Sequence, residues 1–247
     1  MQRKSNTVVV TGAASGMGLA TAQTFLREGW RVIGLDIAET TAPAKGGEYL
    51  SAVADVRSRE DVSEALDQLL GRNETIEAVA NIAGVYPPTT LETYTEDTYR
   101  RIFDINVLGV LNVIAATRSR LVNGSAVVNF ASVDAFVVSP GQLLYGASKA
   151  AVVMLTKTLA LELAPAGVRV NGIAPGWVAT PGNAATGRMN AAAAGIPLGR
   201  VAQPAEIAQW VWLLSSGQNV AFMTGETVVS LAEMLCDSPP RPSAIRT

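Results

Sequence analysis

The feature that most constrains this chain is a regular alternation of short apolar runs with longer segments of helical period. Residues 7–11 read as a buried strand and residues 16–28 as a helix closed by Gly29. Further strands are expected at 31–36, 49–54, 77–81, 125–130 and 168–173, with 227–230 as a seventh. Helices are expected at 59–70, 96–120, 143–164 and 204–214. Repeated strand–helix–strand units make neighbouring strands parallel, because each crossover carries the chain back to the same end of the sheet. The strands are apolar throughout rather than alternating, as strands buried on both faces are. No linker-like stretch interrupts the pattern. The expected architecture is one α/β domain over residues 1–230, a Rossmann-like, doubly wound parallel sheet of about seven strands with helices on both faces. Residues 231–247, which include Pro239, Pro240 and Pro242, are expected to form a loosely ordered tail.

Composition narrows the chemistry. Of the 247 residues, 49% are hydrophobic and 16% charged, enough for a large core and wrong for a disordered chain. A net charge of −2 gives no strong pull toward nucleic acid or an anionic membrane, and neither is expected as a partner. No apolar run approaches the roughly 18 residues of a membrane span, so a soluble, cytoplasmic protein is expected. Cys236 has no second cysteine to pair with. The chain has no histidine, which excludes Ser-His-Asp hydrolysis, Cys-His chemistry and any zinc site built on imidazole; no metal is expected. Acid–base chemistry near neutral pH must come from Tyr, Lys, Asp, Glu or a cofactor.

Open parallel sheets bind ligands at the carboxyl ends of their strands, and the distinctive residues of this chain lie there. The first strand runs into Thr11-Gly12-Ala13-Ala14-Ser15-Gly16-Met17-Gly18. Glycines allow the tight turn and a close backbone approach to a diphosphate, and the helix that follows offers its free N–H groups and positive dipole end. Gly12, Ser15, Gly16, Met17 and Gly18 are therefore candidate cofactor contacts. Asp36 ends the second strand, where a carboxylate can accept hydrogen bonds from the adenosine ribose and repel a 2′-phosphate. The expected cofactor is NAD rather than NADP. Asp55 and Val56, after the third strand, are candidates for the adenine flank.

Tyr145 and Lys149 lie four residues apart, on one face if the segment is helical. A nearby ammonium favours the phenolate and lowers the tyrosine pKa, which would fit Tyr145 for general acid–base work. Ser132, just after the fifth strand, and Asn106 join this pair as candidates.

With these residues, with Asn81-Ile82-Ala83-Gly84 and with Ala174-Pro175-Gly176, the chain resembles the short-chain dehydrogenase/reductase family over roughly residues 7–230. The resemblance implies hydride transfer between NAD and a secondary alcohol or ketone. It implies that Tyr145 exchanges the proton with the substrate oxygen, that Ser132 steadies that oxygen, and that Lys149 binds the nicotinamide ribose. Asn106 would hold a water that relays the proton outward. Asn81, Ala83 and Gly84 would line the adenosine side, while Pro175, Gly176, Val178 and Thr180 would meet the nicotinamide. A homo-oligomer, tetramer or dimer, is also implied. The chain departs from the family at Ile82, where a second asparagine is common, and after Val229, where Asp-Gly-Gly usually follows and this chain has Ser230-Leu231-Ala232-Glu233.

By the same resemblance, residues 180–198 cover the substrate, and their small residues suit a mobile lid. Val133, Asp134, Phe136, Val138, Gln142, Tyr86 and Trp177 are candidate walls, mostly apolar, and they suggest a modest cyclic alcohol or diol. Arg188 could reach a carboxylate. Two other readings compete. One is an NADPH-dependent 3-oxoacyl thioester reductase, and the other is a dinucleotide-binding regulator without turnover.

Overall fold

Strand β1 (Thr7–Thr11) shows why the sheet is covered on both faces. Successive side chains of a strand point to opposite sides. Val9 enters one core with Ile33, Leu66, Val79 and Val127, while Val8 and Val10 enter the other with Phe25, Leu26, Val128 and Ile207. Neither face of the strand meets water, so its sequence is apolar at every step.

The computed structural model describes residues 6–41, 45–217 and 220–229. Beside β1 stand β2 (Arg31–Asp36), β3 (Tyr49–Val53), β4 (Ile76–Asn81), β5 (Leu121–Phe130), β6 (Arg169–Ala174) and β7 (Thr227–Val229). All pair in parallel, in the order β3-β2-β1-β4-β5-β6-β7. The order reverses between β1 and β4, and such a switch point opens a crevice at the carboxyl ends of the strands. The doubly wound α/β sheet is as the sequence implies. The tail 231–247 and Ser230 lie outside the described residues.

One face carries α2 (Arg59–Leu69), α4 (Gly109–Thr117) and α5 (Leu143–Leu163), and the other carries α1 (Gly16–Arg27) and α8 (Pro204–Ser216). Phe25, Trp30 and Trp212 meet edge to face with centroids 5.1–5.6 Å apart and tie α1 to α8.

The helix expected over 96–120 is subdivided. Helix α3 (Glu96–Phe103) passes into a π turn at Asp104–Leu108, then α4, then a 3-10 turn at Arg118–Arg120. By length and composition this run could cross a membrane, yet Val110, Val113 and Ile114 are buried in the core. The π turn puts Asn106 inward, fully buried. Local widening of a helix in this way recurs at functional sites. The expected lid holds two short helices, α6 (Pro181–Ala185) and α7 (Met189–Gly195), and Thr180 caps the first by accepting the Asn183 N–H.

Candidate active site

The glycine turn is built for close approach. Gly12 and Gly16 have φ of +69° and +53°, which L side chains rarely adopt. A Cβ on Gly18 would lie 2.0 Å from the Gly12 carbonyl oxygen, and one on Gly12 would lie 3.1 Å from the Ala83 backbone. Thr11 binds the turn to the loop after β4, its hydroxyl oxygen accepting the Ile82 and Ala83 N–H groups at 3.0 and 3.1 Å. Ser15 caps α1 with extended backbone and no side-chain hydrogen bond. The opening N–H groups of a helix have no intrahelical partner, so they remain for a ligand. Asp36 braces this turn: its carboxylate accepts Ala14 N–H at 2.9 Å and Ala38 N–H at 3.1 Å.

Two clefts meet over this floor. The outer one is lined by Gly12, Ser15, Gly16, Met17, Gly18, Asp36, Asp55, Val56, Ala83 and Gly84. The inner one holds Ser132, Tyr145, Lys149, Pro175, Gly176, Val178 and Thr180. Met17, Ile82, Gly84, Tyr86 and Thr180 line both, so the crevice is continuous. An elongated dinucleotide fits it. Bare glycine backbone and a helix N-terminus would face the diphosphate, a carboxylate at a strand end would face one ribose, and the Tyr145 cleft would take the nicotinamide.

Asn81 and Asn106 line neither cleft. Asn81 is buried and donates to Asn129 Oδ1 at 2.9 Å, and its own Oδ1 has no partner among the described residues. Asn106 sits behind the inner wall. It accepts Val85 N–H at 2.9 Å and donates to the Val85 carbonyl at 2.9 Å and to Ser148 Oγ at 3.0 Å. Ser148 in turn donates to the Tyr145 carbonyl at 2.7 Å. Asn112, which the sequence reading missed, grips the outer loop likewise, donating to the Val56 and Arg57 carbonyls at 2.9 Å. Arg57 and Arg101 also line the outer cleft unforeseen. Arg57 pairs with Asp55 at 2.5 Å and holds its carboxyl below the usual range.

The catalytic cleft departs from expectation in its electrostatics. Burial pushes the Tyr145 phenol well above its ordinary pKa. The opposing pull is a hydrogen bond with Ser132, not the Lys149 charge; Asp134 and Tyr86 add to the rise. Lys149 is 4% exposed, its Nζ donates to the Phe130 carbonyl at 2.8 Å, and burial lowers its pKa to about 8. Its Nζ lies 5.7 Å from the Tyr145 ring centroid. Tyr145 is therefore a protonated phenol at neutral pH, set to give a proton.

Of the expected walls, Tyr86, Val133, Asp134, Gln142 and Trp177 line the inner cleft. Phe136 and Val138 do not: they follow the 3-10 turn at Val133–Ala135 and are 44% and 98% exposed, outside the cleft's lining. Tyr86 stands edge-on to Tyr145 with centroids 5.9 Å apart. Asp134 accepts a hydrogen bond from the Ser139 hydroxyl, and burial pushes its carboxyl up.

A family model described as enoyl-(acyl carrier protein) reductase matches residues 12–230. The chain belongs to the short-chain dehydrogenase/reductase family. An oxidoreductase of Methylorubrum extorquens is 36% identical over 89% of this chain and 94% of its own. The 2,3-dihydro-2,3-dihydroxybenzoate dehydrogenase of Escherichia coli is 33% identical over 87% of this chain and 92% of its own. Among solved structures, a 3-oxoacyl-[acyl-carrier protein] reductase with bound NAD from Brucella melitensis is 30% identical, with a TM-score of 0.80 over 92% of this chain and 90% of that one. As a member of this family the chain is an oxidoreductase that acts on CH–OH or keto groups of small molecules and binds a nicotinamide dinucleotide.

Proposed function

We propose that this oxidoreductase uses NAD to interconvert a secondary alcohol and its ketone, with a cyclic alcohol or diol as substrate. The observation that carries the reading is the continuous crevice with Asp36 at one end and Ser132, Tyr145 and Lys149 at the other. When bound, the nicotinamide ring supplies or accepts the hydride. In reduction Tyr145, protonated at rest, gives its proton to the carbonyl oxygen and the phenolate left behind is reprotonated from solvent; in oxidation it first loses its proton to solvent and then, as the phenolate, takes the hydroxyl proton. Ser132 donates to the same oxygen and fixes its position. Lys149 keeps its charge below about pH 8 and would donate to the nicotinamide ribose, and Asn106 holds the wall through Val85.

Asp36 supports NAD, because a 2′-phosphate would enter beside a carboxylate fixed by two backbone N–H groups. The likeness to a dihydrodiol dehydrogenase supports the diol. A 3-oxoacyl thioester reductase is the second reading, favoured by the likeness to the Brucella reductase. Self-association is part of the proposal, since Leu111, Met154 and Leu161 on α4 and α5 are exposed apolar side chains.

The test is NADH formation from NAD by the purified protein with cyclohexanol and cyclic diols. NADP and acetoacetyl thioesters with NADH or NADPH are run in parallel. Turnover with NAD and a cyclic alcohol is expected, whereas turnover confined to thioesters with NADPH overturns the proposal.

A further inference from the structure

Arg188 takes no part in the proton chemistry. Of the residues that line the inner cleft, Lys149 and Arg188 are the cations and Asp134 is the acid. Lys149 lies at the floor of the cleft, where one of its three N–H groups bonds the Phe130 carbonyl and the others are assigned to the cofactor. Arg188 belongs to the covering segment, between α6 and α7, where its own N–H bonds Thr186 Oγ1 at 3.2 Å. Its guanidinium lies 5.4 Å over the centroid of Trp177, another lining residue. It forms no ion pair among the described residues.

Stacking uses the face of a guanidinium and leaves its N–H edge free. The indole meets the guanidinium from one side, and no hydrogen bond or ion pair claims its N–H groups among the described residues, so they remain for a carboxylate, which can accept from such a fork in two parallel hydrogen bonds. Asp134 does not fill that role. The Ser139 hydroxyl engages it, and Arg188 reaches it only through space. With Lys149 assigned to the cofactor, Arg188 is the cation left for the substrate beside the acid Asp134, which suits a monoanion better than a phosphate dianion that would need further donors.

We propose that Arg188 anchors a carboxylate of the substrate, so that this enzyme acts on a cyclic hydroxy or oxo acid whose carboxylate is remote from the reacting carbon. The inference rests on the oxidoreductase reading above and names the substrate class of the same cleft.

The test is binding rather than turnover. Dissociation constants for cyclohexanecarboxylate and its neutral counterpart cyclohexanecarboxamide are measured by ligand-observed NMR titration, in the presence of NAD. The unaltered protein, Arg188→Gln and Arg188→Lys are compared. The unaltered protein should favour the carboxylate by about tenfold or more, the scale of a charge-assisted hydrogen bond. Arg188→Gln should lose that preference. Arg188→Lys should recover part of it, since an ammonium keeps the charge and loses the fork. Equal binding of the two probes, no binding of the carboxylate, or a preference that survives in Arg188→Gln overturns the proposal. Oxidation of neutral cyclohexanol by the unaltered protein tests the oxidoreductase reading separately, so the two can fail independently.

Discussion

Asn106 grips Val85 at both ends of its peptide environment, accepting the N–H and donating to the carbonyl, each at 2.9 Å. The pairing imitates a backbone ladder and fixes the chain between Gly84 and Tyr86, both of which line the crevice. Asn106→Ala leaves two part-buried backbone groups of Val85 without this partner and should cost about 1–3 kcal/mol of stability. It should also weaken NADH binding by loosening this wall. Urea unfolding and fluorescence titration check the two effects, and unchanged values for both would show that the clamp is dispensable.

Tyr145→Phe removes the phenol hydroxyl assigned to proton transfer in the inner cleft. Turnover should fall by about 10²–10⁴-fold, the range of general acid–base catalysis, while NADH binding stays within about twofold. Steady-state rates and a fluorescence titration decide it. A variant that retains most of its turnover would remove Tyr145 from the proton path.

Asp36→Ser should shift the kcat/KM ratio from NAD toward NADP by about tenfold or more, because a carboxylate beside the 2′-phosphate is lost. The same change frees the Ala14 N–H, which Asp36 holds at 2.9 Å, so some loss of rate with NAD is expected as well. Selectivity that does not move in this variant would make Asp36 a brace for the turn alone.

Lys149 gives a stability prediction with a defined sign. Burial lowers its pKa from 10.5 to about 8. Between those values the unfolded chain binds more protons than the folded one, so stability rises with pH across that window. Below about pH 8 both states are protonated and the cost of the buried charge is fully present. Replacing Lys149 by Met should therefore flatten the gain in stability between pH 7.5 and 10 seen in the parent. Paired urea titrations at the two pH values measure it, and an equal gain in both proteins would contradict the assigned burial.

Much of this was legible in the sequence, for local reasons. Val8-Val9-Val10 reads as a strand because both its faces are buried, and Gly12 to Gly18 reads as a phosphate turn because the constraint lies within a few residues. The π turn at Asp104–Leu108 was not legible, since the helical period runs through it without a proline or glycine break. Phe136 and Val138 were misplaced on the wall because apolarity alone carries no direction. The rise in the Tyr145 pKa was missed for a similar reason. The spacing to Lys149 is in the sequence, whereas the burial that outweighs the charge is assembled from distant segments. Contacts such as that of Asn106 with Val85, or of Gly146 with the Asp134 carbonyl, where a Cβ would lie 2.8 Å away, likewise exist only after folding.

Gly182 and Tyr86 form another such contact, and it links the covering segment to the proton carrier. A Cβ on Gly182 would lie 2.1 Å from the Tyr86 hydroxyl oxygen and 3.2 Å from the ring carbon that bears it. On one side the Tyr86 ring stands edge-on to Tyr145 at 5.9 Å, and on the other it borders the crevice. Gly182→Ala should lift α6 from the cleft, press Tyr86 toward Tyr145 or push it into the crevice, and each route lowers kcat/KM. A loss of about 10–100-fold is expected, the cost of misplacing a reacting group by a fraction of its working distance. Tyr86→Phe deletes the atom in closest conflict and leaves the ring contact in place. The double variant should recover part of the loss, with a coupling of about 1 kcal/mol or more between the two sites. Steady-state kinetics on the two single variants and the double variant measure that coupling. Strictly additive losses would mean that the covering segment settles over the cleft without reference to Tyr86.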